Sequence, residues 1–222
     1  MIVSPQRFER QMQWLRRNCL RGVSMAQLLE ATERGAARRL VGLTFDDGYQ
    51  DFASCALPVL QRHGFNATVF ALPGRLGGHN EWDPDRPRKA LLTADELREI
   101  SRAGIEVASH GLSHISLAEA DDALLRAETA QSRTTLEALL GKEVGGFCYP
   151  YGVLDARVVA AVQAAGYDYA CAITPSRAVG RFAIPRTGIH DGDSSLRLYA
   201  KWLRWRVQVG NRVAVRRHRR GS

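Results

Sequence analysis

Apolar residues follow two alternating rhythms along this chain. Phe8, Met12, Leu15 and Cys19 recur at helical spacing behind Ser4-Pro5, where proline is pre-set for a first helical turn. Ser24 opens a second predicted helix that runs through Leu28 and Leu29 and stops near Gly35. Leu40, Val41, Leu43 and Phe45 then crowd into a short run that predicts a strand. Residues 51–63 read as a helix ended by Gly64, and 67–71 as a strand. Residues 73–92, with Gly74, Gly77, Gly78, Pro84 and Pro87, fit neither rhythm; they predict a long irregular loop, which in a compact domain is usually functional. Thr93 to Glu96 forms a capping box for a helix ended by Gly104, and a strand into Ser109 follows. Ser116 to Glu119 reads as a second capping box, opening a helix that reaches about Leu140. A short strand at 147–149, a helix over 155–165 and strands at 167–173 and 182–189 complete the prediction.

Strands alternating with helices through short connections predict an α/β protein with a parallel sheet. Polar groups able to do chemistry follow four different strands, at Asp46/Asp47, His110/His114, Tyr151 and His190. Loops from four strands converge readily on one barrel mouth, whereas an open doubly wound sheet gathers its site at a single switch point. A barrel is therefore the predicted form.

Length and composition fit one soluble globular domain: 222 residues, 45% hydrophobic and 24% charged. No apolar run reaches the roughly 20 residues of a membrane span. The first residues lack a basic-then-apolar leader, so the expected location is the cytoplasm. Cys19, Cys55, Cys148 and Cys171 show no close ligand spacing and read as buried reduced thiols. The net charge of +8 is localised. Nine basic residues and no acidic ones lie from Arg197 onward; the other 22 Lys and Arg face 23 Asp and Glu, a net of −1. A nearly neutral body argues against a nucleic-acid enzyme. Residues 1–205 are expected to form the barrel and 206–222 a basic tail. Leu198, Tyr199, Trp202, Leu203 and Arg206 suit either a final barrel helix or a segment resting on an anionic membrane surface.

The chemistry concentrates in two fragments. Thr44-Phe45-Asp46-Asp47-Gly48 ends one apolar run, and Ser109-His110-Gly111-Leu112-Ser113-His114 ends another. One Asp and two His make a three-ligand set with a coordination position left open, as in catalytic zinc sites, and the second Asp is available as a base. A lone Asp at a βα turn would read as a helix cap, but a tandem pair beside two histidines favours a site. A retaining glycosidase is disfavoured, because its carboxylates flank a sugar bond at about 5 Å and sequence neighbours do not.

These fragments resemble the motifs of the polysaccharide deacetylase family, the NodB-homology or carbohydrate esterase 4 group. Thr44 to Gly48 matches TFDDG fully, and His110 and His114 match H-[ST]-x-x-H in spacing, with Gly111 in place of the hydroxyl residue. Phe147-Cys148-Tyr149-Pro150-Tyr151-Gly152 resembles the FAYPYG version of the family's R-x-P-[FY] motif, in which the Arg is absent. Gly188-Ile189-His190 matches its late Leu-x-His motif loosely.

The resemblance implies a distorted (β/α) barrel of about seven strands, here starting after an N-terminal strand that many relatives carry. It implies metal-dependent removal of N-acetyl groups from amino sugars, with Asp47, His110 and His114 as ligands of a divalent metal, zinc by ligand preference. It makes Asp46 the base, the Tyr151 backbone N–H an oxyanion donor and His190 the general acid. Arg186, between Pro185 and Thr187, is expected to supply the charge missing at Cys148 and to orient Asp46. The implied partner is a glycan or lipid-linked saccharide. The alternatives are a C–N hydrolase of a small amide or cyclic ureide, and a degenerate barrel that binds glycan without turnover. Trp82 could stack on a sugar or pack back onto the barrel.

Overall fold

The computed structural model describes residues 3–173 and 180–205. Its frame is a curled, all-parallel sheet of six strands in sequential order: β3 (Thr44–Phe45), β4 (Thr68–Ala71), β5 (Glu106–Ser109), β6 (Gly146–Cys148), β7 (Tyr169–Ala172) and β8 (Ile184–Pro185). The order never reverses, so the sheet has no switch point and curls into a half-barrel. A separate parallel pair, β1 (Arg21–Val23) with β2 (Leu40–Gly42), adjoins it. The apolar run from Leu40 to Phe45 is thus two short strands meeting at Leu43, whose N–H bonds Val23 and whose carbonyl accepts from Thr68. The residues of β1 were not expected to pair; three residues with one glycine carry little periodicity.

Alternation along the strands sorts the core. Val69, Ala71, Val107, Phe147, Tyr149, Ala170 and Ala172 pack with helix residues such as Leu60, Leu97, Ile100, Leu136 and Val158. The intervening Phe70, Ala108, Cys148, Tyr169 and Cys171 pack with one another inside the curl. Helix α2 (Met25–Glu33), opened by a Ser24/Gln27 capping box, closes the end where the strands begin. The Met25 N–H there bonds Thr68 Oγ1 and the Ala26 N–H bonds Glu106 Oε2. The opposite end, where the strands finish, is left for chemistry.

Further helices among the described residues are α1 (Pro5–Arg17), α3 (Leu57–His63), α4 (Ala94–Arg102), α5 (Asp122–Arg126), α6 (Ser132–Leu140) and α7 (Ala156–Ala164), with a last one over 195–205. Thr93 caps α4 with Glu96 as expected, and left-handed Gly64 and Gly141 end α3 and α6. A one-turn π segment, Ala127–Gln131, joins α5 to α6. The expected start at Ser116 is not observed. Residues 117–119 form a turn that buries Leu117 completely, and Asp121 caps the helix instead, accepting from the Leu124 N–H. The strand expected over 182–189 shrinks to Ile184–Pro185, since proline offers no N–H to continue a ladder. Cys19 is exposed in a left-handed turn after α1 and Cys55 is half-buried; only Cys148 and Cys171 are buried thiols. The basic tail beyond 205 lies outside the described residues.

Candidate metal centre

Asp46 and Asp47 follow the C-terminal end of β3 and take different partners. Asp47 takes a left-handed φ of 70°, which aspartate tolerates better than most residues. His110 follows β5 directly, and His114 returns to the same place through a second left-handed residue (φ 64°). His110 Nε2 lies 3.4 Å and His114 Nε2 3.3 Å from Asp47 Oδ1. Tyr151, after β6, is also left-handed (φ 58°), so three of the four described non-glycine residues with positive φ sit at this one mouth. Such backbone costs on the order of 1–3 kcal/mol each and persists only where the surroundings hold it.

The donor set fits a cation. His110 Nδ1 lies 2.8 Å from the Cys148 carbonyl, which can only accept, so the proton of neutral His110 sits on Nδ1. Its Nε2 then faces a carboxylate oxygen, an arrangement that either a proton on Nε2 or a positive ion between them satisfies. His114 Nδ1 is buried with no hydrogen-bond partner among the described residues. The His114 ring is clamped in place, stacked on Trp82 at 4.6 Å and 22°, with Tyr151 edge-on at 4.6 Å. Trp82 therefore packs back onto the site. Burial raises the Asp47 carboxyl, but hydrogen bonds to the two histidines outweigh it and hold it far below the ordinary range.

Asp46 has a different partner. Arg186 Nη1 donates to Asp46 Oδ1 at 2.5 Å and Nη2 to Oδ2 at 2.9 Å, a bidentate fork. Nη1 also bonds Thr44 Oγ1 at 3.2 Å, so Arg186, just past β8, spans from one edge strand of the sheet to the other. The guanidinium lies over the Phe70 ring inside the curl. Burial pushes Asp46 up, yet the Arg186 charge and hydrogen bonds prevail and keep it ionised. A second cluster, Asp46 with His110 and Cys148, also brings three ligand atoms together. Arg186 Nη2 sits 2.9 Å from Cys148 Sγ, and the two Nη atoms between them occupy both Asp46 oxygens, so this cluster already holds a cation. The Asp47 set is the better metal site.

His190 is exposed, and its main chain rather than its ring makes the observed bonds: Gln11 Nε2 donates to its carbonyl and its N–H donates to Asp193 Oδ2. Neither of the two ligand clusters found among the described residues includes it.

The sequence pattern described as polysaccharide deacetylase matches residues 33–170, more than half of the chain and the stretch that holds Asp46, Asp47, His110, His114 and Tyr151. This chain belongs to the polysaccharide deacetylase family. Among its relatives, YxkH of Bacillus subtilis is 28% identical over 197 residues, covering 86% of this chain and 67% of its own. A poly-β-1,6-N-acetyl-D-glucosamine N-deacetylase of Staphylococcus aureus is 26% identical over 215 residues, covering 90% and 71%. The fold matches that of the Streptococcus pyogenes deacetylase PplD, solved with acetate, at a TM-score of 0.79 and 23% identity over 90% of this chain and 88% of that one.

Two features of this family member were not evident in its sequence. Tyr49 stands by Asp47, and burial together with that carboxylate pushes its phenol up. Glu128, 1% exposed on the π segment, braces the loop that carries both histidines. Its Oε2 accepts from the Leu112 N–H at 2.7 Å and the Ser113 N–H at 3.1 Å, and its Oε1 accepts from the Ser113 hydroxyl. Gly111 makes room for it: φ is 87°, and a Cβ there would meet Glu128 Oε2 at 2.8 Å. Glycine at the motif's usual hydroxyl position is thus required by the carboxylate. Gly111→Ala and Glu128→Gln should each destabilise the fold by about 1–3 kcal/mol, from strain in the first and an unmatched donor in the second. Thermal melts should fall by about 2–4 °C per kcal/mol, with weaker uptake of an added divalent ion by titration; unchanged values for both would remove Glu128 as the brace.

Proposed function

We propose that this chain is a metal-dependent deacetylase that hydrolyses the N-acetyl groups of amino sugars in a polysaccharide or glycan precursor. The observation that carries the reading is the convergence of Asp47, His110 and His114 on one point, beside an Asp46 held ionised by Arg186. The three would hold a divalent ion, zinc by the nitrogen and carboxylate donor set. Such an ion supplies Lewis acidity and lowers the pKa of water toward 7.

The remaining work falls to the chain. Asp46, ionised throughout the neutral range, takes the proton from the attacking water. The backbone N–H of Tyr151, set by its left-handed turn, steadies the negative charge that develops on the acetamide oxygen. His190 protonates the departing amine as the C–N bond breaks. Water is added across one amide, and the products are acetate and a free amino sugar. The Staphylococcus aureus relative, named for poly-β-1,6-N-acetyl-D-glucosamine, makes that polymer the first substrate to try.

Acetate release from β-1,6- and β-1,4-linked N-acetylglucosamine oligomers, from small amides and from cyclic ureides tests the assignment, with metal content read by elemental analysis. Oligomers should be turned over in a chelator-sensitive reaction that His190→Ala slows. Turnover confined to small amides or ureides, or metal bound without any acetate release, would reject the deacetylase reading.

A further inference from the structure

The last described segment, residues 195–205, is a helix with two apolar sides. Leu198, Trp202 and Trp205 pack against the protein body, and Leu198 is only 8% exposed. Leu196, Tyr199 and Leu203 lie elsewhere on the helix and are 78%, 48% and 47% exposed. At 100° per residue these three form a strip about 60° wide. Barrel packing explains the first side; on the second, Tyr199 meets the Trp202 ring at 5.7 Å between centroids, and the two leucines are left without a packing role.

Charge says what covers it. Arg197, which also reaches the Gly192 carbonyl at 3.4 Å, and Arg204 border the exposed strip, whereas Lys201 is ion-paired to Asp193 and bonds the Gly188 carbonyl. Past the helix the sequence adds Arg206, Arg212, Arg216, Arg217, Arg219 and Arg220 without one acidic residue, on a body whose net charge is −1. An apolar strip edged and extended by arginine matches an interface with apolar depth and anionic headgroups. Nucleic acid would engage the arginines and give the leucines nothing to do.

We propose that the 195–205 helix and the arginines after it seat the protein on an anionic lipid surface, with Leu196, Tyr199 and Leu203 entering the boundary between headgroups and acyl chains. The helix follows directly on the loop that carries Arg186 and His190, so the lipid-facing segment adjoins the mouth of the candidate site in the chain. This inference does not depend on the deacetylase reading.

Flotation of the full chain with phosphatidylcholine vesicles, with and without one quarter phosphatidylglycerol, tests it. Binding to the anionic vesicles should exceed binding to the neutral ones by at least about tenfold and fall away in molar salt. Leu196→Ser/Leu203→Ser, and separately glutamine at the six tail arginines, should each reduce it several-fold while the melting temperature stays unchanged. Acetate release from soluble oligosaccharide, read alongside, keeps failure of this inference distinct from failure of the enzymatic one. No association with anionic vesicles overturns the proposal. So does association indifferent to the leucine pair, which together with DNA capture would mark a general polyanion site. A dimer in solution that the leucine pair abolishes would assign the strip to a second copy and overturn it as well.

Discussion

Asp47→Ala should abolish metal binding and acetate release together, as the proposed centre requires. Among the described residues Asp47 is the one carboxylate in contact with both Nε2 atoms, at 3.4 and 3.3 Å, and it is the sole anion of the proposed ligand set. Without it, two imidazoles would have to hold a divalent ion unaided in a half-buried pocket, with no negative charge to offset it. Loss of an outer-shell partner already costs about 10–100-fold in metal affinity, and loss of a ligand should exceed that. Elemental analysis should find far less than one equivalent of zinc in purified Asp47→Ala, and acetate release should fall to background even with added metal. The wild-type site should also release protons on metal uptake, because burial is outweighed at His110 by Cys148 and Asp47, which raise its pKa well above the ordinary value. Metal must displace that proton, so affinity should weaken as pH falls; calorimetry in buffers of different ionisation enthalpy measures the exchange. An Asp47→Ala protein that retains stoichiometric zinc and turnover would dismiss the proposed centre.

The parts of the site that could be read in the sequence are those that follow strands. Strand ends are marked by the stop of an apolar run, and a parallel sheet brings all of its C-terminal ends to one face. Asp46/Asp47, His110/His114, Tyr151 and His190 were picked out by that logic, and the structure brings Asp47, His110, His114 and Tyr151 to one mouth with Asp46 beside them; Arg186 was expected instead from the charge missing at Cys148, and it pairs with Asp46. Glu128 was illegible for the opposite reason. It lies mid-helix in a sequence that reads as a solvated face, and only the π segment and the folding of the 111–113 loop around it make it a buried acceptor. The left-handed backbone of Asp47, His114 and Tyr151 left no trace either, because none is glycine and the strain is held by tertiary contacts.

Element boundaries failed where local chemistry offered two answers. Ser116 to Glu119 has the letters of a capping box, but burying Leu117 favours a turn, and Asp121 offers an equally good cap five residues on. Leu40 to Phe45 has the composition of one strand, yet it serves β1 with its first half and β4 with its second. In both cases packing between distant segments decided what local preference left open.

Asp46→Asn should leave zinc in place and lower kcat by about 10²–10⁴, the range expected on losing a general base. The asparagine keeps the shape of the side chain, and Asp47, His110 and His114 are untouched. The substitution does remove the anion opposite a largely buried Arg186, and breaking such a pair can cost about 3–5 kcal/mol of stability, so rates must be read well below the melting temperature. Arg186→Met separates the two roles of Asp46. In the wild type the guanidinium outweighs burial and holds the Asp46 carboxyl below its ordinary pKa; without it the largest lowering influence is gone and the pKa rises. The base would then be protonated at higher pH, and the acid limb of the pH–rate profile should move upward while the rate on its alkaline side is better preserved. A structural role for Arg186 would lower the rate at every pH without moving that limb. Loss of zinc from Asp46→Asn would instead transfer the metal to the Asp46, His110 and Cys148 cluster, and full activity in Asp46→Asn would place the base elsewhere in the mouth.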